Sequence, residues 1–188
     1  RGRLSVKNFA DGVDTGEILS KVEVEIDPRD TAGSLEPKLA EAGARLLVET
    51  IPGYIQGKIT PVAQDHDKST HAPMLSSEDG WIDWSLTSEE ISNRIRGLNP
   101  CPGAYTTCRG QRLKVHFAVP TDQKCPCPGP PGTITNCLNG KGVLVKTGNG
   151  NLLIEELQPA CKKRMRGDAL IQGRYAEPGE TLGLDPDQ

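Results

Sequence analysis

No apolar run in this 188-residue chain approaches the roughly 18 residues that a membrane-crossing helix requires. Arg1 to Lys7 carries positive charge without an apolar segment or a small-residue cleavage site, which argues against a secretory signal peptide. The chain opens on Arg1 rather than Met, and is read as a fragment, a processed product or a trimmed chain. Cysteine is sparse: Cys101, Cys108, Cys125, Cys127, Cys137 and Cys161 are too few for a disulfide-stapled scaffold, so reduced thiols and a cytoplasmic location are expected. Cys125-Pro126-Cys127 has no second paired knuckle and no neighbouring His, so no metal is expected. His66, His71 and His116 are scattered, and none forms a visible carboxylate pair for general base work. A Gly-rich phosphate loop, a G-x-S-x-G elbow and a zinc signature are all missing, which removes the commonest nucleotide-binding, hydrolase and metalloenzyme chemistries.

What remains is the composition of a soluble globular protein, 35% hydrophobic and 25% charged. At roughly 100 to 200 residues per domain, the length admits one full domain or two small ones. The net charge of −3 conceals an asymmetry: residues 1–90 hold 9 Lys/Arg against 17 Asp/Glu, and residues 91–188 hold 13 against 8. Charge alone is read first as a solvated face and second as a means of attracting a polyanion such as nucleic acid.

Along the chain, Leu4 to Phe9 and Ile18 to Ile26 read as strands, the second by alternation of Val22, Val24 and Ile26 with Lys21, Glu23 and Glu25. Leu35, Leu39, Ala42 and Leu46 recur at helical spacing, with Ser34 as N-cap and Pro37 in the first turn. From Pro52 to about Gly80 no period persists, which predicts a linker. Thr87 to Glu90 is a capping box, followed by the Ile91, Ile95, Leu98 stripe and a stop at Asn99-Pro100. Ala104 to Cys108, Arg112 to Val119 and Gly142 to Leu157 read as strands, with Leu113, Val115, Phe117 and Val119 facing inward and turns at Arg109-Gly110 and 148–150. Short strands with Gly-rich turns and one helix suggest a small antiparallel barrel. Lys162 to Ile171 is predicted as a helix with Met165, Ala169 and Leu170 on one face and Gly173 as C-cap.

Two places could carry chemistry. Asp14 stands between Gly12 and Gly16, whose missing side chains let a ligand approach the backbone, although an Asp capping a turn meets the same pattern. Lys162, Lys163, Arg164 and Arg166 form a cationic cluster suited to phosphate contacts.

These residues carry a family resemblance. Asp11-Gly12-Val13-Asp14-Thr15-Gly16-Glu17-Ile18-Leu19, Asp30 to Leu35, Asp79 to Trp84 and Arg96 to Pro100 resemble successive blocks of methionyl-tRNA formyltransferases. Glu156-Leu157-Gln158-Pro159, Lys162 to Met165 and Pro178-Gly179-Glu180 resemble that family's C-terminal signature. The resemblance implies an α/β formyltransferase (Rossmann-like) domain followed by a small open antiparallel β-barrel (OB-like). It divides the chain into 1–57 as the C-terminal part of the catalytic domain, 58–80 as linker and 81–188 as a tRNA-binding barrel. It further implies formyl transfer from 10-formyltetrahydrofolate to the amine of methionyl initiator tRNA by a cytoplasmic monomer without metal or membrane attachment. Asp14 matches the catalytic Asp, and Asp11, Gly12 and Val13 would line the folate pocket. Lys162, Lys163, Arg164 and Arg166 would contact tRNA.

Departures accompany the match. The Asn and His that complete the family's catalytic set have no counterpart in this sequence, so the chain alone is expected to be inactive. Cys101 stands where the family pattern has Trp, and Cys161 where it has Gly. A non-catalytic RNA-binding module and a formyltransferase acting on a nucleotide sugar are the competing readings.

Overall fold

The computed structural model describes residues 2–8, 14–123 and 128–184. The chain divides into two compact units, Arg1–Met74 and Leu75–Gln188.

In the first unit, β1 (Gly2–Lys7) pairs antiparallel with β2 (Ile18–Val24), Leu4 opposite Val22. The α1 helix (Ala32–Ile55) packs across them, with Leu4 reaching Gly43 and Leu39 reaching Gly2. Its capping box is Thr31 with Ser34: the Ser34 amide donates to Thr31 Oγ1, and the Thr31 amide donates to Ser34 Oγ. Ser34 is therefore the third helical residue rather than the N-cap, and Pro37 lies beyond the first turn. The helix also continues through Pro52, where a linker is expected. A proline in the interior removes one backbone bond; two residues before it, the buried Thr50 hydroxyl ties the helix to Ser20 of β2 at 2.6 Å. Burial in this unit is thin. Among its described residues no large hydrophobic side chain is fully buried, while Leu47, Val48, Ile51, Tyr54 and Ile55 of α1 are exposed.

Val62 then pairs with Ile18 through two backbone bonds of 2.8 and 2.9 Å, so the segment after α1 adds a third short rung beside β2.

The second unit contains the hydrophobic core. The α2 helix (Ser88–Leu98) opens at Thr87, whose capping box with Glu90 forms as the sequence indicates. Ile91, Ile95 and Leu98 are buried on its inner face. An antiparallel sheet follows, in the order β3 (Ala104–Cys108), β4 (Gln111–Thr121), β7 (Asn151–Pro159), β6 (Gly142–Lys146), β5 (Ile134–Leu138), with β8 (Met165–Arg166) also paired to β7. In β4 the pairing with β7 slips between Val115 and Ala118, and this bulge turns Ala118 rather than Val119 into the core. Sequence periodicity identifies neither β5 nor β8. The helix expected over Lys162 to Ile171 is replaced by β8 and a four-residue α3 (Ala169–Gln172), capped at Gly173 as expected.

No strand pairing joins β3 to β5 among the described residues. The terminal segment lies between these edges instead. The Ile134 amide donates to Glu180 O and the Gly179 amide to Ile134 O, whereas the Gly183 amide donates to Thr107 O. Buried Trp84 fills the space beneath, its indole donating to Thr106 Oγ1 at 3.1 Å.

Candidate functional site

In the first unit, Asp14 sits in the bend between β1 and β2 with a left-handed backbone, φ 59°, a conformation Asp adopts more readily than most residues. Its side chain is 83% exposed, with Lys7 Nζ 4.0 Å from Oδ1. The main chain around it is well held. Lys7 Nζ donates to Asp14 O at 3.3 Å, and Gln64 Nε2 donates to both Asp14 O and Gly16 O at 2.7 Å. Gly16 is buried against the chain at Asn8, where an added Cβ would lie 1.7 Å from the Asn8 carbonyl oxygen. This loop therefore requires glycine at position 16 for close approach. Asp11, Gly12 and Val13, the expected folate-pocket residues, lie outside the described residues.

Gln64 is the part of this site that sequence reading misses. It falls in the aperiodic stretch assigned to the linker, and only the Ile18–Val62 pairing brings it to the bend. Asp30, in the second family block, is buried beneath the start of α1 and accepts from Lys38 Nζ at 2.7 Å and from Ser34 Oγ at 2.8 Å. The Lys38 ammonium and these hydrogen bonds lower its pKa to about 2. Its role is to fix the helix start.

In the second unit the four expected RNA-contacting residues lie close in sequence, Lys162 to Arg164 between β7 and β8 and Arg166 in β8, but differ in availability. Lys162 and Lys163 are exposed and form no ion pair among the described residues. Arg164 is paired with Glu156, and Arg166 with Asp168 at 3.1 Å. Asp168 is fully buried; burial pushes its carboxyl upward, but the Gly140 amide and Arg166 outweigh that and hold it below the ordinary range. The tail signature builds the turn between β7 and β8. Gln158 Nε2 donates to Lys162 O at 2.8 Å, and Gln158 Oε1 lies 3.1 Å from His116 Nε2. Burial lowers the His116 pKa, which keeps the ring neutral at physiological pH and leaves it in a structural contact.

Cys161 occupies the left-handed region, φ 58°, where the family pattern has glycine. Cys101 is exposed. Cys125 and Cys127 lie outside the described residues, and no group of three or more metal-binding side chains occurs among the others.

The family model "Formyl transferase, C-terminal domain" matches residues 74–175, more than half of the chain, and the model "Formyl transferase" matches residues 4–51. The chain belongs to the formyl transferase family. Its relatives include the methionyl-tRNA formyltransferase of Bacillus subtilis (strain 168), 44% identical over 187 residues, which cover 97% of this chain and 57% of the relative. That of Bacillus velezensis is 45% identical over 181 residues, covering 96% and 56%. The chain thus spans a little over half the length of these family members. Among solved structures, HypX from Aquifex aeolicus in complex with tetrahydrofolic acid aligns with a TM-score of 0.62 at 15% identity, over 96% of this chain and 33% of that one. An N-formyltransferase from Helicobacter canadensis, bound to folinic acid and dTDP-3-aminofucose, aligns at 0.63 and 18% identity, over 84% and 55%. At these identities both establish the fold alone.

Proposed function

We propose that this chain is the C-terminal portion of a methionyl-tRNA formyltransferase, the enzyme that moves a formyl group from 10-formyltetrahydrofolate to the amine of methionyl initiator tRNA at the start of translation. The observation that carries this reading is 44 to 45% identity to enzymes of that name across 96 to 97% of the chain. In this reading residues 1–57 complete the catalytic domain, 58–80 connect the domains, and 81–188 form an OB-like open barrel that holds tRNA. The barrel assignment is supported by the β3-β4-β7-β6-β5 order and by the terminal segment bonded to both sheet edges.

Formyl transfer needs an amine that loses a proton as it attacks, donors for the tetrahedral oxyanion, and a proton for the departing folate nitrogen. Asp14 is an exposed carboxylate whose own backbone carbonyl is held by Lys7 and Gln64, suited to accepting the amine proton. The family resemblance assigns Asp11, Gly12 and Val13 to the folate site. The family's Asn and His have no counterpart among these 188 residues, so the chain alone lacks the oxyanion donors; losing one such donor costs roughly 10² to 10³ in rate. Lys162 and Lys163 supply uncommitted charge to the tRNA backbone, and Arg164 can exchange Glu156 for a phosphate. The enzyme acts as a cytoplasmic monomer without metal.

The test is a choice of acceptors. Enzyme containing this chain and its catalytic Asn and His is given 10-formyltetrahydrofolate with either methionyl-tRNA or a nucleotide-linked amino sugar. Formyl-methionyl-tRNA is the expected product. Formyl sugar with unchanged methionyl-tRNA would replace this reading with a sugar formyltransferase. RNA binding without transfer to either acceptor would leave a non-catalytic RNA-binding protein.

A further inference from the structure

At one end of the second unit's sheet, the β3–β4 turn and the last residues of β7 meet α3 around a cleft of about 220 Å³. Its floor is apolar, made by Leu113 and Leu170, each 1% exposed. Tyr175 forms one wall, and Arg109, Arg112 and Arg174 line the opening.

The three arginines are not equivalent. Arg109 is committed: it pairs with Glu180 at 2.6 Å and Glu177 at 3.8 Å. It also donates from Nη1 to the Arg174 carbonyl at 3.2 Å, clamping that residue's left-handed backbone, φ 57°. Arg112 lies over the Tyr105 ring, 3.6 Å from its centroid, which orients the guanidinium without neutralising it. Neither Arg112 nor Arg174 forms an ion pair among the described residues. Lys162 Nζ lies 5.8 Å from the Tyr175 ring centroid, so a third uncommitted cation stands nearby.

An apolar slot with one aromatic wall and flanking guanidinium groups matches a flat ring attached to phosphate. Arginine's planar fork suits phosphate oxygens, and a tyrosine face accepts any base by stacking. The volume is below the roughly 300 to 1,000 Å³ of clefts that enclose a whole small-molecule ligand, and suits one ring of a longer strand.

We propose that this cleft seats a single nucleotide of an RNA strand, its base against Tyr175 and its flanking phosphates on Arg112 and Arg174. The proposal rests on the reading of this unit as an RNA binder and extends the contact surface beyond residues 162–166.

The experiment measures binding of labelled tRNA to the 188-residue protein by fluorescence anisotropy across a salt series, with AMP as a second probe. The double variant Arg112→Ala/Arg174→Ala is expected to flatten the slope of log K against log salt by roughly 1 to 2, since each phosphate contact contributes about 0.7 to 0.9. Tyr175→Ala is expected to weaken binding roughly 5- to 100-fold with the slope retained, because base stacking carries no counterion release. Arg174→Lys should keep the slope. Circular dichroism and urea midpoints establish that each variant is folded. A folded double variant with wild-type affinity and slope overturns the cleft assignment while leaving RNA binding by the unit intact. If the wild type binds no tRNA, the RNA reading and the cleft fall together. Saturable AMP binding in that case would assign the cleft to a free nucleotide.

Discussion

Asp168 is the point at which the second unit's hairpin, edge strand and terminal helix are joined. The Gly140 amide donates to its Oδ2 at 2.7 Å, Arg166 donates from Nη2 to Oδ2 and from Nε to Oδ1, both at 3.1 Å, and Gln172 Nε2 reaches Oδ2 at 3.3 Å. Asp168→Asn preserves the shape but replaces one acceptor oxygen with an NH2 that must face a donor already in place. A hydrogen bond to a charged partner contributes about 1.5 to 3 kcal/mol. The Arg166 side chain is 64% exposed, so water takes over part of its interaction when the carboxylate is lost. The expected net loss is about 2 kcal/mol, or a fall of roughly 8 °C in Tm at an unfolding entropy of about 2.1 cal/mol/K per residue. Urea unfolding should show a lower midpoint at an unchanged slope. Arg166→Ala should be milder, at about 1 kcal/mol, with little effect on the salt dependence of tRNA binding, because Arg166 is held by a buried carboxylate. If Asp168→Asn lies within about 0.5 kcal/mol of wild type, the reasoning about this junction is wrong.

Cys161→Gly should stabilise the second unit by about 0.5 to 1 kcal/mol: the left-handed backbone costs an L-residue roughly 1 to 2 kcal/mol, and the greater freedom of unfolded glycine offsets part of that gain. A urea midpoint that stays fixed or falls contradicts this. The Asp30 pKa is about 2 in the folded chain against an ordinary value of 3.8, so its contribution is complete above pH 4 and disappears as pH falls toward 2. Asp30→Asn should therefore flatten the acid limb of the first unit's unfolding curve, and an unchanged limb counts against the Lys38 contact. Gln64→Ala removes the two Gln64 bonds to the Asp14 and Gly16 carbonyls and leaves the longer one from Lys7. In enzyme with the complete catalytic set it should lower kcat by about 10-fold with little change in KM for tRNA, since misplacement by about 1 Å costs up to 10².

How much of this was legible in the sequence depended on whether local rules governed the element. The α2 capping box and the inward residues Leu113, Val115 and Phe117 follow from spacing, because each answers to near neighbours or to one buried face. The inward turn of Ala118 does not, since a bulge depends on how β7 pairs opposite. The short β8 was lost beneath a helical pattern: Met165, Ala169 and Leu170 have helical spacing, yet Met165 pairs with Leu157 across the sheet. At the candidate sites, residue identity singles out Asp14 and the cationic cluster as candidates. Tertiary contacts decide the rest, such as Gln64 arriving from an aperiodic stretch and two of the four cations being paired with carboxylates. Asp79 to Trp84, a family block with the look of a motif, is structural: the Ile82 amide donates to Tyr105 O, and Gly80 is packed where a Cβ would lie 2.3 Å from the Gly103 carbonyl oxygen.

The most direct test of the account is the rate of formyl transfer to methionyl-tRNA by enzyme containing this chain and its catalytic Asn and His, with Asp14 intact and as Asp14→Asn. Asp14 is exposed, so the substitution should leave folding unchanged. The account predicts transfer by the wild type and a loss of roughly 10² to 10⁴ in kcat for the variant, the range for a positioned general base. Equal rates in the two proteins, or a wild type that leaves methionyl-tRNA unformylated, would contradict it.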